Sequence, residues 1–206
     1  MSNRMYPKLN KIQIGMTPSE QLKLSIQKYV SLSEQDWELF LPYIRFKSFS
    51  KGEVLLRQDE VCRFISFVIS GTVIYYQLTD KGEELTTDFA FEGDWVTDNR
   101  SRVSETPAHL NIKAGEDTEV AFIQQKDLEL LFQKVPRMER LGRLLVEEAY
   151  VKLVQRSVDL QTLSAEERYQ KLAAEYPQAF LRLPLYHIAN YLGIAPKSLS
   201  RIRNKK

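Results

Sequence analysis

Cysteine and histidine are nearly absent from this chain. A single cysteine, Cys62, in 206 residues excludes an internal disulfide framework and any all-cysteine iron–sulfur or zinc cage within one chain. Two histidines, His109 and His187, exclude a three-histidine catalytic metal site, so no metal ligand and no catalytic residue is assigned. Long apolar runs are missing too. The longest, Phe64 to Ile69, is interrupted by Ser66, far short of the ~18 consecutive apolar residues that span a bilayer. Residues 1–15 alternate Lys and Arg with Leu and Ile and hold no apolar signal core, which argues against secretion. Neither G-x-G-x-x-G nor G-x-x-x-x-G-K-[ST] occurs, which removes the glycine-rich phosphate loops. These absences describe a soluble, cytoplasmic protein with no membrane partner. With 43% apolar and 27% charged residues the balance is that of an ordinary globular chain, long enough for one large domain or two small ones.

Charge is unevenly spread. From Pro177 to Lys206 there are six basic residues (Arg182, Lys197, Arg201, Arg203, Lys205, Lys206) and no acidic one, so with a net charge of +2 the first 176 residues carry −4. A basic end on an acidic body points to a polyanion met at one end only, or to a solvated tail.

Between Arg45 and Gln124 short runs rich in β-branched and aromatic residues (Val54–Leu56, Phe64–Ile69, Thr72–Leu78, Leu85–Phe91, Leu110–Ala114, Glu119–Ile123) alternate with glycine turns. Their ten-residue spacing predicts an antiparallel sandwich or barrel. Ahead of them, Thr17-Pro18-Ser19-Glu20 and Ser33-Glu34-Gln35-Asp36 open two helices. Behind them, Lys126–Gln133 forms a short helix. A long one runs from Pro136 to about Leu163, and Ser164-Ala165-Glu166-Glu167 caps another.

The long helix has too many apolar residues for one stripe. Leu145, Ala149 and Leu153 make one row, while Leu144, Val151, Val154 and Val158 lie around an adjacent face. Two faces ask for two partners, the strand domain and a second copy, with Leu144, Val151 and Val158 at the homodimer seam.

The segment Leu185–Arg203 carries most. Leu185, Ile188, Ala189 and Leu192 fill one face of a short helix, Gly193 suits a left-handed helix end, and Pro196 suits the first turn of the next. Leu199 and Ile202 return to the core, and Lys197, Ser198, Ser200, Arg201 and Arg203 face out. This is the spacing of a helix-turn-helix, whose second helix enters a major groove of double-stranded DNA. Arginine reads guanine bidentately, and lysine or serine meets phosphate.

The order of β-block, long helix and helix-turn-helix resembles the cyclic-AMP receptor protein/fumarate-nitrate regulator (Crp/Fnr) family of bacterial transcription factors. The likeness covers residues 25–203. It is carried by Lys51-Gly52-Glu53 with Leu55 and Leu56, by Phe67 to Val73, by Gly93-Asp94, and by Ile188 to Gly193 with Leu199 to Ile202. It implies an α+β fold in three parts: an effector-sensing β-roll with N-terminal helices (1–135), a dimerisation helix (136–163), and a helix-turn-helix domain (164–206). It also implies a base-reading role at the position of Arg201, and RNA polymerase as a further partner. Asp94, Trp95, Arg100 and Arg102 are the candidate effector-pocket residues.

Three departures qualify the likeness. Pro107-Ala108-His109 stands where relatives that bind cyclic AMP carry Arg-Ser or Arg-Thr, so cyclic AMP is disfavoured as effector. The cysteine cluster of the iron–sulfur sensors is absent. The chain stops three residues past Arg203, which leaves no winged hairpin. His109 reads as an ordinary turn residue, His187 as facing solvent or phosphate, and Cys62, between Asp59-Glu60 and Arg63, as exposed. Two other readings remain: an effector-sensing dimer that does not bind DNA, and a cupin-type barrel enzyme, for which one histidine in the β-block is too few.

Overall fold

The computed structural model describes residues 15–204; residues 1–14, and Lys205 and Lys206 of the basic tail, lie outside them. Two capped helices come first. In α1 (Pro18–Gln27) the Thr17 hydroxyl accepts from Glu20 N–H while the Glu20 carboxylate accepts from Thr17 N–H at 2.7 Å. In α2 (Glu34–Phe40) Ser33 and Asp36 repeat the exchange. Each box satisfies donors that a bare helix end would leave unpaired.

Eight strands follow: β1 (Arg45–Phe49), β2 (Val54–Leu56), β3 (Phe64–Ser70), β4 (Val73–Leu78), β5 (Glu84–Ala90), β6 (Trp95–Val96), β7 (Asn111–Ala114) and β8 (Thr118–Gln124). They form two antiparallel four-stranded sheets, ordered β1-β8-β3-β6 and β2-β7-β4-β5. β3 is covered on both faces, which is why Phe64–Ser70 lacks a polar alternation. Phe64 and Val68 meet Leu56, Val73, Val96 and Ile112 inside the roll. Phe67 and Ile69 point the other way, into a layer of Leu22, Ile26, Trp37 and Phe40 from the N-terminal helices. Leu128 and Leu131 of α4 (Gln125–Lys134) close that layer, with Met138 and Leu141 of α5 (Arg137–Thr162). Full burial of Phe67 alone is worth about 2–3 kcal/mol of transfer free energy.

Within the roll, two strands and a helix go beyond the sequence reading. β1 is exposed at four of its five residues and is recruited only by pairing with β8. β6 is two residues long and exists through Ser66 and Phe67 of β3. The helix is α3 (Asn99–Ser104), capped by Asp98.

The last elements are α6 (Ala165–Glu175), α7 (Ala179–Arg182), α8 (Leu185–Leu192) and α9 (Pro196–Asn204), after which no further element is described. The expected boundary at residue 164 does not divide the apolar core there. Leu172, Leu183, Ile188 and Leu199 pack in one cluster with Ile74, Phe89 and Phe91 of the roll.

Candidate functional site

α8 and α9 are joined as the apolar spacing requires. Ile188, Ala189 and Leu192 are buried, and Gly193 turns left-handed at φ 68°, ψ 34°, where a Cβ would be strained. Ile194 N–H then donates back to Ala189 O at 3.0 Å, which aims the chain into α9. Leu199 is fully buried and Ile202 half-buried against this base. Lys197, Ser198, Ser200, Arg201 and Arg203 are all exposed on the opposite side, and Ser200 Oγ caps back onto Pro196 O at 3.1 Å. Residues 196–204 include no carboxylate, so three cations share one open helix face. Such a face neutralises phosphates and offers at least one guanidinium to base edges.

A cleft of about 2270 Å³ opens between the β5–β6 turn, α5, α6 and the end of α8. Three of the four expected pocket residues line it; Arg100 does not, being exposed on α3. Asp94 Oδ2 accepts from Phe91 N–H at 2.9 Å, and burial raises its carboxyl above the usual range while Lys152 opposes. The Trp95 ring lies tilted at 56° to Phe67 with centres 5.3 Å apart, and its buried Nε1 has no hydrogen-bond partner among the described residues. Arg102 is engaged by Gln125 Oε1 (2.9 Å) and Asn99 Oδ1 (3.0 Å).

The structure adds residues that sequence reasoning missed. Asp88 also lines the cleft, its carboxyl raised by burial and lowered by Arg156 and Lys152. Glu148 accepts from Tyr29 Oη at 2.6 Å and pairs with Lys152 at 3.0 Å, and the Arg156 guanidinium lies 4.0 Å over Tyr191. One signal was available: Glu148, Lys152 and Arg156 recur every fourth residue and draw a charged line along one face of the helix.

Around Ala108 the backbone groups are already engaged. Ala108 N–H donates to Glu60 O and Asp59 N–H to Ala108 O, both at 2.9 Å. Ser101 Oγ accepts from Cys62 N–H at 2.8 Å and donates to Thr106 O at 2.6 Å. His109 is exposed.

Two expectations are corrected. Cys62 is buried, because its side chain fills the roll beside Phe64 and Ala108. His187 faces neither solvent nor phosphate: it is 2% exposed, shares a 2.5 Å hydrogen bond with Thr86 Oγ1, and burial lowers its pKa to about 4.

On α5, Val151 and Val158 are each 46% exposed, and Val154 stands between them. Leu144 is half-buried against the layer of N-terminal helices. Among the described residues, no helix is long and apolar enough to cross a membrane.

Residues 46–135 match the model of the cyclic nucleotide-binding domain. The transcriptional activator protein anr of Pseudomonas aeruginosa is 29% identical over 171 residues, covering 77% of this chain and 68% of that protein. The fumarate and nitrate reduction regulatory protein of Vibrio cholerae is 28% identical over 173 residues, covering 77% and 67%. Among solved structures, FixK2 of Bradyrhizobium japonicum superposes with a TM-score of 0.65 at 22% identity over 79% of this chain and 83% of its own. The catabolite activator protein of Thermus thermophilus gives 0.54 at 19% identity, over 92% and 86%. At these identities the solved structures share the fold.

Proposed function

We propose, from the premise that the chain belongs to the cyclic-AMP receptor protein/fumarate-nitrate regulator family, that it is a DNA-binding transcriptional regulator whose β-roll senses a small molecule. The observation that carries the reading is the open basic face of α9 set behind the left-handed Gly193 turn. Arg201 reads a base edge, and Lys197, Ser198, Ser200 and Arg203 hold phosphates. The exposed stripe Val151, Val154 and Val158, continued by Leu144, covers itself against a second copy of α5, so the working form is a homodimer. A two-fold dimer meets two half-sites about 34–36 Å apart. The protein acts in the cytoplasm, with RNA polymerase as a further partner, and it is not an enzyme.

The effector enters the cleft beside Asp94, Trp95 and Arg102, and it is not cyclic AMP. A cyclic phosphate taken out of water needs a charge-assisted partner. At the expected position the chain offers Pro107, which has no N–H, then Ala108, whose N–H already serves Glu60. Arg102 is held by Gln125 and Asn99, and a charged Asp94 repels an anion.

A mobility-shift assay with genomic fragments of the source organism tests the reading. Salt-sensitive, sequence-selective retention supports it. Absence of any retained fragment overturns it in favour of an effector-sensing dimer that does not bind DNA.

A further inference from the structure

The DNA-reading helices are attached to the rest of the chain by more than α5. α8 runs antiparallel along β5, the edge strand of its sheet, and the α7–α8 segment is tied to the roll at three levels. At the first, Arg182 at the end of α7 donates Nη1 and Nη2 to Glu92, each at 2.7 Å, just past the end of β5. The same guanidinium donates Nε to Glu116 in the β7–β8 turn at 3.0 Å and lies 5.3 Å from the Phe91 ring centre. At the second level, His187 meets Thr86. At the third, Asn190 Nδ2 donates to Glu84 O at 3.2 Å. There Arg156 of α5 also bridges Thr87 O (2.6 Å) and Tyr191 O (3.2 Å).

The seat for Arg182 is built by the roll. Glu92 Oε1 also accepts from Gly71 N–H at 2.9 Å, and Glu116 Oε1 from Thr72 Oγ1 at 2.6 Å. Both carboxylates are therefore aimed by backbone and hydroxyl donors of the β3–β4 turn, independently of the guanidinium. Three ties, one at the end of α7 and two along α8, fix the orientation of this segment, whereas one would leave a pivot. The apolar contact of Phe89 and Phe91 with Leu183 and Ile188 is non-directional and does not by itself prevent tilting. A forked arginine–carboxylate pair does, and a lysine cannot reproduce it.

We propose that Arg182, seated between Glu92 and Glu116, is a positioning residue for DNA recognition: it fixes the pose of α8 and α9 against the roll, and in the dimer this sets the half-site spacing that is read. The inference rests on the DNA reading above. Leverage makes it consequential. α9 has nine residues and is about 13.5 Å long, so a tilt of about 14° moves its far end by one base-pair step of ~3.4 Å.

Two experiments on the full chain decide it. The first is selection from duplexes whose two half-sites are separated by graded spacers. The wild type should concentrate on one spacing, while Arg182→Gln should lose about tenfold of its discrimination against neighbouring spacings. Arg182→Lys should broaden as well, and affinity for a single half-site should stay within about twofold for both. The second is hydrogen exchange without DNA. Amides of α8 and β5 should exchange faster in Arg182→Gln, with β3 unchanged as the sign of an intact roll. A spacing preference as sharp as wild type, or unchanged exchange along α8, overturns the proposal. A wild type that binds no duplex refutes the DNA reading instead, and the exchange result still decides whether Arg182 fixes the pose.

Discussion

Acidification should weaken the contact between α8 and the roll, and His187 allows the amount to be worked out. Its ring is buried against Thr86; burial first, and nearby Lys113 second, lower its pKa from 6.5 to about 4, with Glu84 opposing. In the unfolded chain the imidazole titrates near its ordinary ~6.5. Above that pH neither state binds the proton, and His187 adds no pH dependence. Below it the unfolded chain takes up a proton that the folded chain refuses until about pH 4, so stability falls as the pH falls through this window. The loss approaches ~3.4 kcal/mol across the whole window, and about 2 kcal/mol of it comes between pH 7 and pH 5. The cleft carboxyls of Asp88 and Asp94, raised by burial, work in the opposite direction. A difference measurement removes them. His187→Gln keeps a hydrogen-bonding group for Thr86 and does not titrate, so urea unfolding of both proteins at pH 7, 6 and 5 isolates the imidazole. The stability gap should move by about 2 kcal/mol in favour of the variant between pH 7 and 5. Parallel curves would show that His187 is protonated as readily in the folded chain as outside it, and the buried neutral contact would be wrong.

Val151→Glu puts a charge into the exposed stripe of α5 and should halve the mass seen by light scattering; an unchanged dimer mass would remove the seam from this face. Gly71→Ala should cost more than about 3 kcal/mol and lower the melting midpoint by roughly 6–12 °C. Its φ is +95° and an added Cβ would lie 2.6 Å from Asp117 O and Thr118 Cα; a loss under about 1 kcal/mol would contradict that crowding. Calorimetric titration with cyclic AMP should give no micromolar binding. Micromolar heat abolished by Arg100→Ala or Arg102→Ala would mean that one of these arginines replaces the missing guanidinium.

What the sequence revealed was mostly what neighbouring residues decide. The boxes at Thr17, Ser33 and Ser164, the left-handed Gly193 and the long helix from Pro136 are each specified within a few positions, and all are present. β1 and β6 were hidden because one is largely exposed and the other is two residues long, so partner strands create them. The outward residues of α9 were readable because a single period puts them opposite Leu199 and Ile202. The cleft was only partly readable: Asp94 and Trp95 are adjacent in sequence, but Asp88 of β5 and Glu148 and Lys152 of α5 converge on it from separate elements. His187 was misread because Thr86, the partner that buries it, lies 101 residues away. Arg182 read only as a unit of charge, since Glu92 and Glu116 reach it through the fold.

The central claim is that α9 reads DNA bases through Arg201, and the affinity of Arg201→Ala for a selected operator tests it most directly. Operator binding should weaken by about 1–3 kcal/mol, which is roughly fivefold to over a hundredfold in Kd, while binding to unrelated duplex changes little. Lys197→Ala should instead weaken both duplexes alike and reduce the salt slope by about one. Wild-type affinity for the operator in Arg201→Ala would contradict the account.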